Sequence, residues 1–470
     1  MTEALTPLPG QDASDTAFFG HPKGLGYIFA TEVGLAFSYY GIVSILTLYM
    51  TQQLFTPGHI ENVFGFAAYS QSMQDMFGKM TPLALASQTF GLVTGLNYAT
   101  AIVGGFLGDR WLGAQRAVIS GLIIQTLGYG LLITEAGFLI ALALVVIGSG
   151  LVKTKLLGQV GRLYSLEDSR RTRAFGFFLI AVNIGGFLTP LVVGTLGEKV
   201  SWAYGLAAAA IGIVSSLTIY LAGRKHLPQD TQVVSASVKV RPTPLTRTDG
   251  RIIAALAVIL IASILNAGTY NQTFNIFPVW AKTHVDHTIL GFDFPVTWFS
   301  ALDGVLTIVG IAMALRLWAW QAKRGKEPKD TTRVAIGCLL TAAAFSVLTL
   351  GSMSAGDGKV ALIAPLVYLL LADAALPWID TVIQALISRV APPSLTTTML
   401  GIYFLTYTVG NFLVGSLGRL YEGMSPATFW GTHAAIILAP AVLLLVTGGW
   451  LSRLLTRPAE AGAVPVAANA

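Results

Sequence analysis

Between Gly26 and Met50 the only ionisable group other than tyrosine is Glu32, in a run long enough to cross a hydrocarbon core of roughly 30 Å at about 1.5 Å per residue. A lone carboxylate in lipid costs roughly 2.5 to 3.5 kcal/mol on insertion scales. Its stripe, Glu32, Ala36, Tyr40 and Val43 at spacings of four, four and three, is therefore expected to face the protein interior or a water-filled cavity. Lys153 and Lys155 pose the same problem in another apolar run. Residues two apart lie roughly 200° apart on a helix, so at most one readily faces a cavity and the other must snorkel or find a partner. Asp303, Asp373 and Asp380 put further carboxylates into apolar stretches of the second half. Intramembrane ionisable groups of this kind mark substrate paths and proton relays. By contrast, His284 and His287 have no third ligand nearby and read as ordinary loop histidines, so no metal site is expected. No glycine-rich loop ending in Lys-Ser/Thr is present, which leaves ATP-driven transport without support, and no cofactor is expected.

Only a polytopic membrane protein supplies the elements to position such groups. The chain is 54% hydrophobic and 11% charged over 470 residues, and apolar runs above eighteen residues recur along it. About twelve spans are expected, near 26–50, 83–108, 115–134, 137–160, 173–196, 203–222, 251–281, 297–320, 332–352, 360–388, 396–418 and 428–452. The first is too long, and lacks the basic start and small-residue cleavage site, for a removable secretory signal. Lys and Arg in the intervening segments number twenty-one on the amino-terminal side and five on the other, which predicts that both termini are cytoplasmic. The polar, proline-bearing stretch 224–250 reads as a cytoplasmic linker between six-helix bundles at 26–223 and 251–456, with tails at 1–25 and 457–470. The single cysteine, Cys338, excludes an internal disulfide framework, and the positive net charge serves topology rather than nucleic-acid binding.

The segment FFGHPKGL from Phe18, followed by Glu32-Val-Gly-Leu35-Ala36-Phe37-Ser-Tyr39-Tyr40-Gly41, resembles the opening of the proton-dependent oligopeptide transporters, a branch of the major facilitator superfamily. That family's pattern is E-x-x-E-R-F-x-Y-Y-G. The first acid and the tyrosine pair are kept, while Leu35, Ala36 and, further on, Val43 stand where a second acid and two arginines are usual. The run from Gly104 through Asp109 and Arg110 to Arg116 is similar to the superfamily's loop between its second and third helices. Phe177 to Gly205 resembles the oligopeptide branch's fifth-helix signature, and Gly150-Leu-Val-Lys153 its fourth-helix G-x-x-K. Weaker similarities follow at Trp298 to Asp303, Arg389 to Pro392, and Met399 to Asn411.

The resemblance implies an all-α fold of twelve transmembrane helices in two six-helix halves, with the binding site between them near the midplane. It implies Lys153, rather than Lys155, as the cavity lysine, facing Glu32 in a proton-coupling pair. It further implies Tyr39, Tyr40, Tyr98 and Asn183 as substrate contacts. Asn271 stands for the family's seventh-helix acid, Leu376 for its tenth-helix glutamate, and Asp303 for its eighth-helix asparagine. Asp380, four residues beyond Leu376, returns a carboxylate to the same helix face; Asp373, three before it, does so less closely.

The expected function is secondary active transport, not enzyme catalysis. The expected substrate is a peptide or peptide-like molecule taken up with protons across a bacterial inner membrane, by alternating access of the two halves. Without the arginine clamp, a plain dipeptide held bidentately by its carboxylate fits less well than a larger, blocked or modified one. A facilitator for a non-peptide metabolite or drug, and a non-transporting membrane sensor, are the competing readings.

Overall fold

Backbone groups that meet no water must bond within their own segment, and the helix is the local arrangement that does this in an apolar run. The computed structural model describes residues 15–165, 167–228, 245–392 and 394–455, leaving aside the side chains of Asp109 and Thr397. Most of the expected tails, linker residues 229–244 and the Asp109 side chain of the loop motif thus lie outside the described residues. The first half comprises α1 (Lys23–Tyr49), α2 (Phe66–Phe77), α3 (Pro82–Leu107), α4 (Ala114–Leu132), α5 (Phe138–Arg162), α6 (Arg170–Thr189), α7 (Thr195–Lys199) and α8 (Trp202–Gly223). The second comprises α9 (Arg247–Tyr270), α10 (Ile276–His284), α11 (Trp298–Lys323), α12 (Asp330–Ala355), α13 (Ile363–Leu376), α14 (Val382–Val390), α15 (Thr396–Gly418) and α16 (Pro426–Leu455).

Among the described residues, eleven stretches are long and apolar enough to cross a membrane. The twelfth expected span is α4, whose apolar content Gln115, Arg116 and Gln125 dilute. Its residues still reach roughly 28 Å at about 1.5 Å each, and it packs between α5 and α8. Two expectations change. The capping box of Thr246 and Asp249 starts α9 at Arg247, ahead of the expected 251, because the threonine and aspartate satisfy each other's backbone donors. The segment between the first two spans is not all loop: α2 forms there between Gly65 and Gly78, both at positive φ. A small hairpin, β1 (Thr288–Ile289) with β2 (Phe292–Asp293), joins α10 to α11.

Two helices are interrupted at prolines, by wide turns over Pro190–Gly194 and Pro377–Thr381. Proline lacks the donor for a regular helix bond and its ring crowds the preceding turn, so the ladder widens there instead of continuing. The second interruption joins α13 to α14 and carries Asp380.

Helices α1, α3, α4, α5, α6 and α8 pack on one another, as do α9, α11, α12, α13, α15 and α16; the two sets meet chiefly along α3 with α15 and α6 with α11. Close approach depends on glycine where backbones touch. A Cβ at Gly104 of α3 would lie 2.2 Å from the Gly150 carbonyl oxygen of α5, and one at Gly108 would lie 2.4 Å from Lys155 Cε, whose stem fills that gap.

All hydrogen bonds and ion pairs between the halves, among the described residues, lie toward the face opposite the termini. Thr47 of α1 donates to Asn275 Oδ1 at 2.9 Å, and Asn275 Nδ2 donates to Ser87 of α3 at 2.7 Å. Glu198 at the end of α7 accepts from the backbone N–H of Thr297 at 3.0 Å, the Thr297 hydroxyl at 2.8 Å and Lys282 at 3.3 Å. Lys199 pairs with Asp293 of the hairpin at 2.9 Å, and its ammonium holds that carboxyl below the usual carboxylate range. The halves are therefore latched at that face. The glycine contact gives a test: Gly104→Ala should lower the melting temperature of the purified protein, by an overpacking cost of about 1–3 kcal/mol. Gly130→Ala, where a Cβ meets nothing within 4 Å, should leave it unchanged, and equal effects would contradict the packing account.

Candidate functional site

Between the halves lies a cavity of about 300 Å³. Tyr39, Tyr40, Tyr98 and Asn183 line it from the first half, and Asn271, Asp303 and Asp380 from the second. Seven residues singled out in the sequence thus share one wall-to-wall space. A second cavity, of about 260 Å³, holds Glu32 and Lys153 with Gln125 and Ser149, and it shares Tyr39, Tyr40, Tyr98 and Val182 with the first. The tyrosines form the partition between the two.

Lys153 reaches this partition from α5. Its ammonium donates to Asn97 Oδ1 and sits over the rings of Tyr39 at 4.5 Å and Tyr98 at 5.2 Å. Ring quadrupoles and an amide thus hold the cation instead of a carboxylate. Glu32 lines the same cavity, yet among the described residues it makes no ion pair with Lys153 or any other cation. A permanent Glu32–Lys153 bridge tying α1 to α5 is therefore not what holds these helices together. Lys155 turns away from the cavity, buried along Gly108.

Asp380 sits on the opposite wall, projected by the turn at Pro377, and Leu376 lines the cavity beside it. The Tyr403 hydroxyl donates to Asp380 Oδ1 at 3.1 Å, the Tyr407 hydroxyl lies 3.3 Å from that of Tyr403, and the Tyr407 ring stacks on Tyr98 across the halves with centroids 5.2 Å apart. No cation pairs with Asp380 among the described residues. It is a carboxylate with aromatic neighbours and space in front of it, suited to a primary amine or another cation. Asn271 donates to Asn411 Oδ1 at 3.3 Å, and Asn183 donates to the Leu179 carbonyl at 2.8 Å, which leaves each amide's oxygen available at the cavity.

Asp373 does not reach the cavity surface. It is fully buried behind the wall, where the Tyr270 hydroxyl lies 2.8 Å from Asp303 Oδ1 and 2.8 Å from Asp373 Oδ1. The wide turn explains the split between the two acids of this element: Asp380 lies within it and points inward, while Asp373 lies in the regular helix before it. Sequence reading passed over Tyr270, Tyr403 and Tyr407. Tyr403, Tyr407 and Asn411 follow one another at steps of four, a single polar stripe on α15 that the spacing alone marks as facing inward. Tyr270 carries no comparable signal.

A family model described as Major Facilitator Superfamily matches residues 28–415. A di-/tripeptide transporter of Lactococcus lactis subsp. cremoris is 25% identical over 92% of this chain and 96% of its own length. The peptide transporter YePEPT of Yersinia enterocolitica is 27% identical over 91% and 94%. Among solved structures, a peptide transporter POT in complex with sulfate superposes with a TM-score of 0.82 at 23% identity, covering 95% of this chain and 98% of that one.

Proposed function

We propose that this chain, which belongs to the major facilitator superfamily and sits with its proton-dependent oligopeptide transporter branch, is a secondary active transporter that takes up short peptides or peptide-like molecules together with protons. The observation that carries the reading is the cavity between the halves, with the unpaired Asp380 on one wall and the tyrosine partition screening an unpaired Glu32 and Lys153 on the other. A bundle that only scaffolds a partner gains nothing from burying charges without counter-charges, since each costs folding stability.

In this reading the substrate's amino group binds Asp380, with the Tyr403 hydroxyl, backed by Tyr407, fixing the carboxylate and the rings adding cation–π attraction. The facing wall offers tyrosine hydroxyls and the Asn183 amide, and Asn271 adds an amide on the Asp380 side, but no arginine fork lines the cavity among the described residues. It suits a neutral polar end, such as an amidated or otherwise modified terminus, better than a free carboxylate. The charge asymmetry of the loops supports cytoplasmic termini, so the latched face is the outer one and the cavity opens inward, ready to release its cargo. A bacterial plasma membrane is the proposed location.

Protonation of Glu32 is the coupling event on this side. With Lys153 held by Asn97 and two rings, the carboxylate is uncompensated in the present conformation, and a proton removes that cost. A state in which Lys153 swings to Glu32 favours release of the proton.

Two variants test the reading. Asp380→Asn should weaken binding of an amine-bearing dipeptide by ~1–3 kcal/mol, the range for a charge-assisted hydrogen bond. Unchanged affinity would make Asp380 a structural residue. Glu32→Gln in proteoliposomes should abolish accumulation driven by a pH gradient while sparing exchange of labelled for unlabelled substrate. Intact accumulation in that variant would remove Glu32 from coupling.

A further inference from the structure

The second half holds a group that substrate recognition leaves unexplained. Asp303 on α11 and Asp373 on α13 are both buried, their carboxyl groups lie within hydrogen-bonding range of each other, and one hydroxyl, Tyr270 from α9, bridges them at 2.8 Å to each. The Thr307 hydroxyl of α11 adds a bond to Asp373 Oδ1 at 3.1 Å. Asp373 Oδ2 is sealed from solvent and has no donor at all. The titratable groups facing the pair are Tyr270 from α9, Tyr368 from α13 and Tyr40 from α1 across the cavity. No lysine or arginine among the described residues pairs with either acid.

Two acceptors in contact, one of them with an orphaned oxygen, lack a hydrogen between them. Two like charges in contact in a low-dielectric wall, without a cation, cannot both be ionised. A metal ion is a poorer answer than a proton: hard cations take six or more oxygen ligands, and the bridging tyrosine hydroxyl has one hydrogen to share between the two carboxylates, which leaves one acceptor short of a donor. Asp303 lines the central cavity, so the pair has a water-accessible side.

We infer that Asp303 and Asp373 share one exchangeable proton and form a proton-carrying site of the second half, where Asn271 leaves the α9–α10 junction without an acid. The inference rests on the reading of this chain as a proton-coupled transporter, and it gives Asp303 a different task from the substrate contact expected of it. The step is simple to balance. A proton from cavity water adds to one carboxylate oxygen, giving an acid–carboxylate pair with a single O–H bond formed, and it departs to cavity water by breaking that same bond. The bridge ties α9, α11 and α13, so gaining or losing the proton changes the fit of three helices that line the cavity. Tyr270 acts here as a positioning residue.

Infrared difference spectra of the purified full-length protein, recorded as pH is changed, read protonated carboxyl groups directly and need no substrate. A protonated-carboxyl band that disappears as pH is raised should be present in the wild type and kept in Glu32→Gln. It should be lost when either Asp303→Asn or Asp373→Asn is added to Glu32→Gln, because either asparagine supplies the missing donor and lets the remaining acid stay ionised, while the Glu32 carboxyl contributes no band in that background. A band that survives both substitutions overturns the inference. Tyr270→Phe should keep the band but move the pH at which it disappears, and an unmoved profile would also contradict the bridge. In proteoliposomes supplied with labelled dialanine and an imposed pH gradient, Asp303→Asn should lose accumulation and keep exchange. Should the wild type itself fail to accumulate while the band behaves as described, proton coupling of transport fails and the shared proton stands. Accumulation driven by a sodium gradient, with no titrating band, would assign the site to a metal ion and overturn the inference.

Discussion

An unpaired charge surrounded by low dielectric is the interaction on which this molecule turns. Glu32, Lys153, Asp303, Asp373 and Asp380 all lie within membrane-spanning helices, and among the described residues none of them makes an ion pair in this conformation. Tyrosine hydroxyls, aromatic faces and amides replace counter-ions. Such partners stabilise a charge enough for folding but less well than a full ion pair would. The residual cost leaves each group receptive to what can cancel it: a proton for a carboxylate, an amine for Asp380. On the proposed function, substrate and proton binding draw on the same source of free energy.

This also assigns work to the scaffold. The tyrosine partition sets Glu32 and Lys153 apart from the central cavity, and on the proposed function their state can answer to the proton without direct competition from substrate. The latch built on Glu198, Asn275 and the Lys199–Asp293 pair holds the opposite face shut through polar contacts, buried at Glu198 and Asn275 and exposed at Lys199–Asp293. The exposed pair can exchange with water at small net cost, unlike the dry glycine contacts within a half. A molecule with closely packed halves and a polar latch between them is suited to rocking about its central cavity.

Much of this was legible from residue spacing. The lone Glu32 in an apolar run marks the first span and a candidate site residue together, because lipid makes the same demand of both. Asp380 was legible as a four-residue step from Leu376, and the structure keeps both on the cavity wall. The contacts among distant helices were not. Tyr270 meets acids 33 and 103 residues away, and no periodicity within α9 encodes which neighbours lie across the gap. The separation of Asp373 from Asp380 depends on a wide turn at Pro377, which a regular helical projection omits. The helix α2 was overlooked for a different reason: its polar, exposed residues look like loop, and only the flanking glycines Gly65 and Gly78 mark its ends. The shortfall of α4 in apolar content follows from Gln115 and Gln125, which serve the interior of the bundle and not lipid.

The central claim is that cargo and protons cross together. Purified protein in liposomes carrying a pH-sensitive dye, given a dipeptide outside with no imposed gradient, tests it most directly. The account predicts acidification of the lumen that starts with dipeptide addition, scales with its uptake and stops when uptake is blocked. Dipeptide entry that equilibrates with no change in internal pH would contradict it.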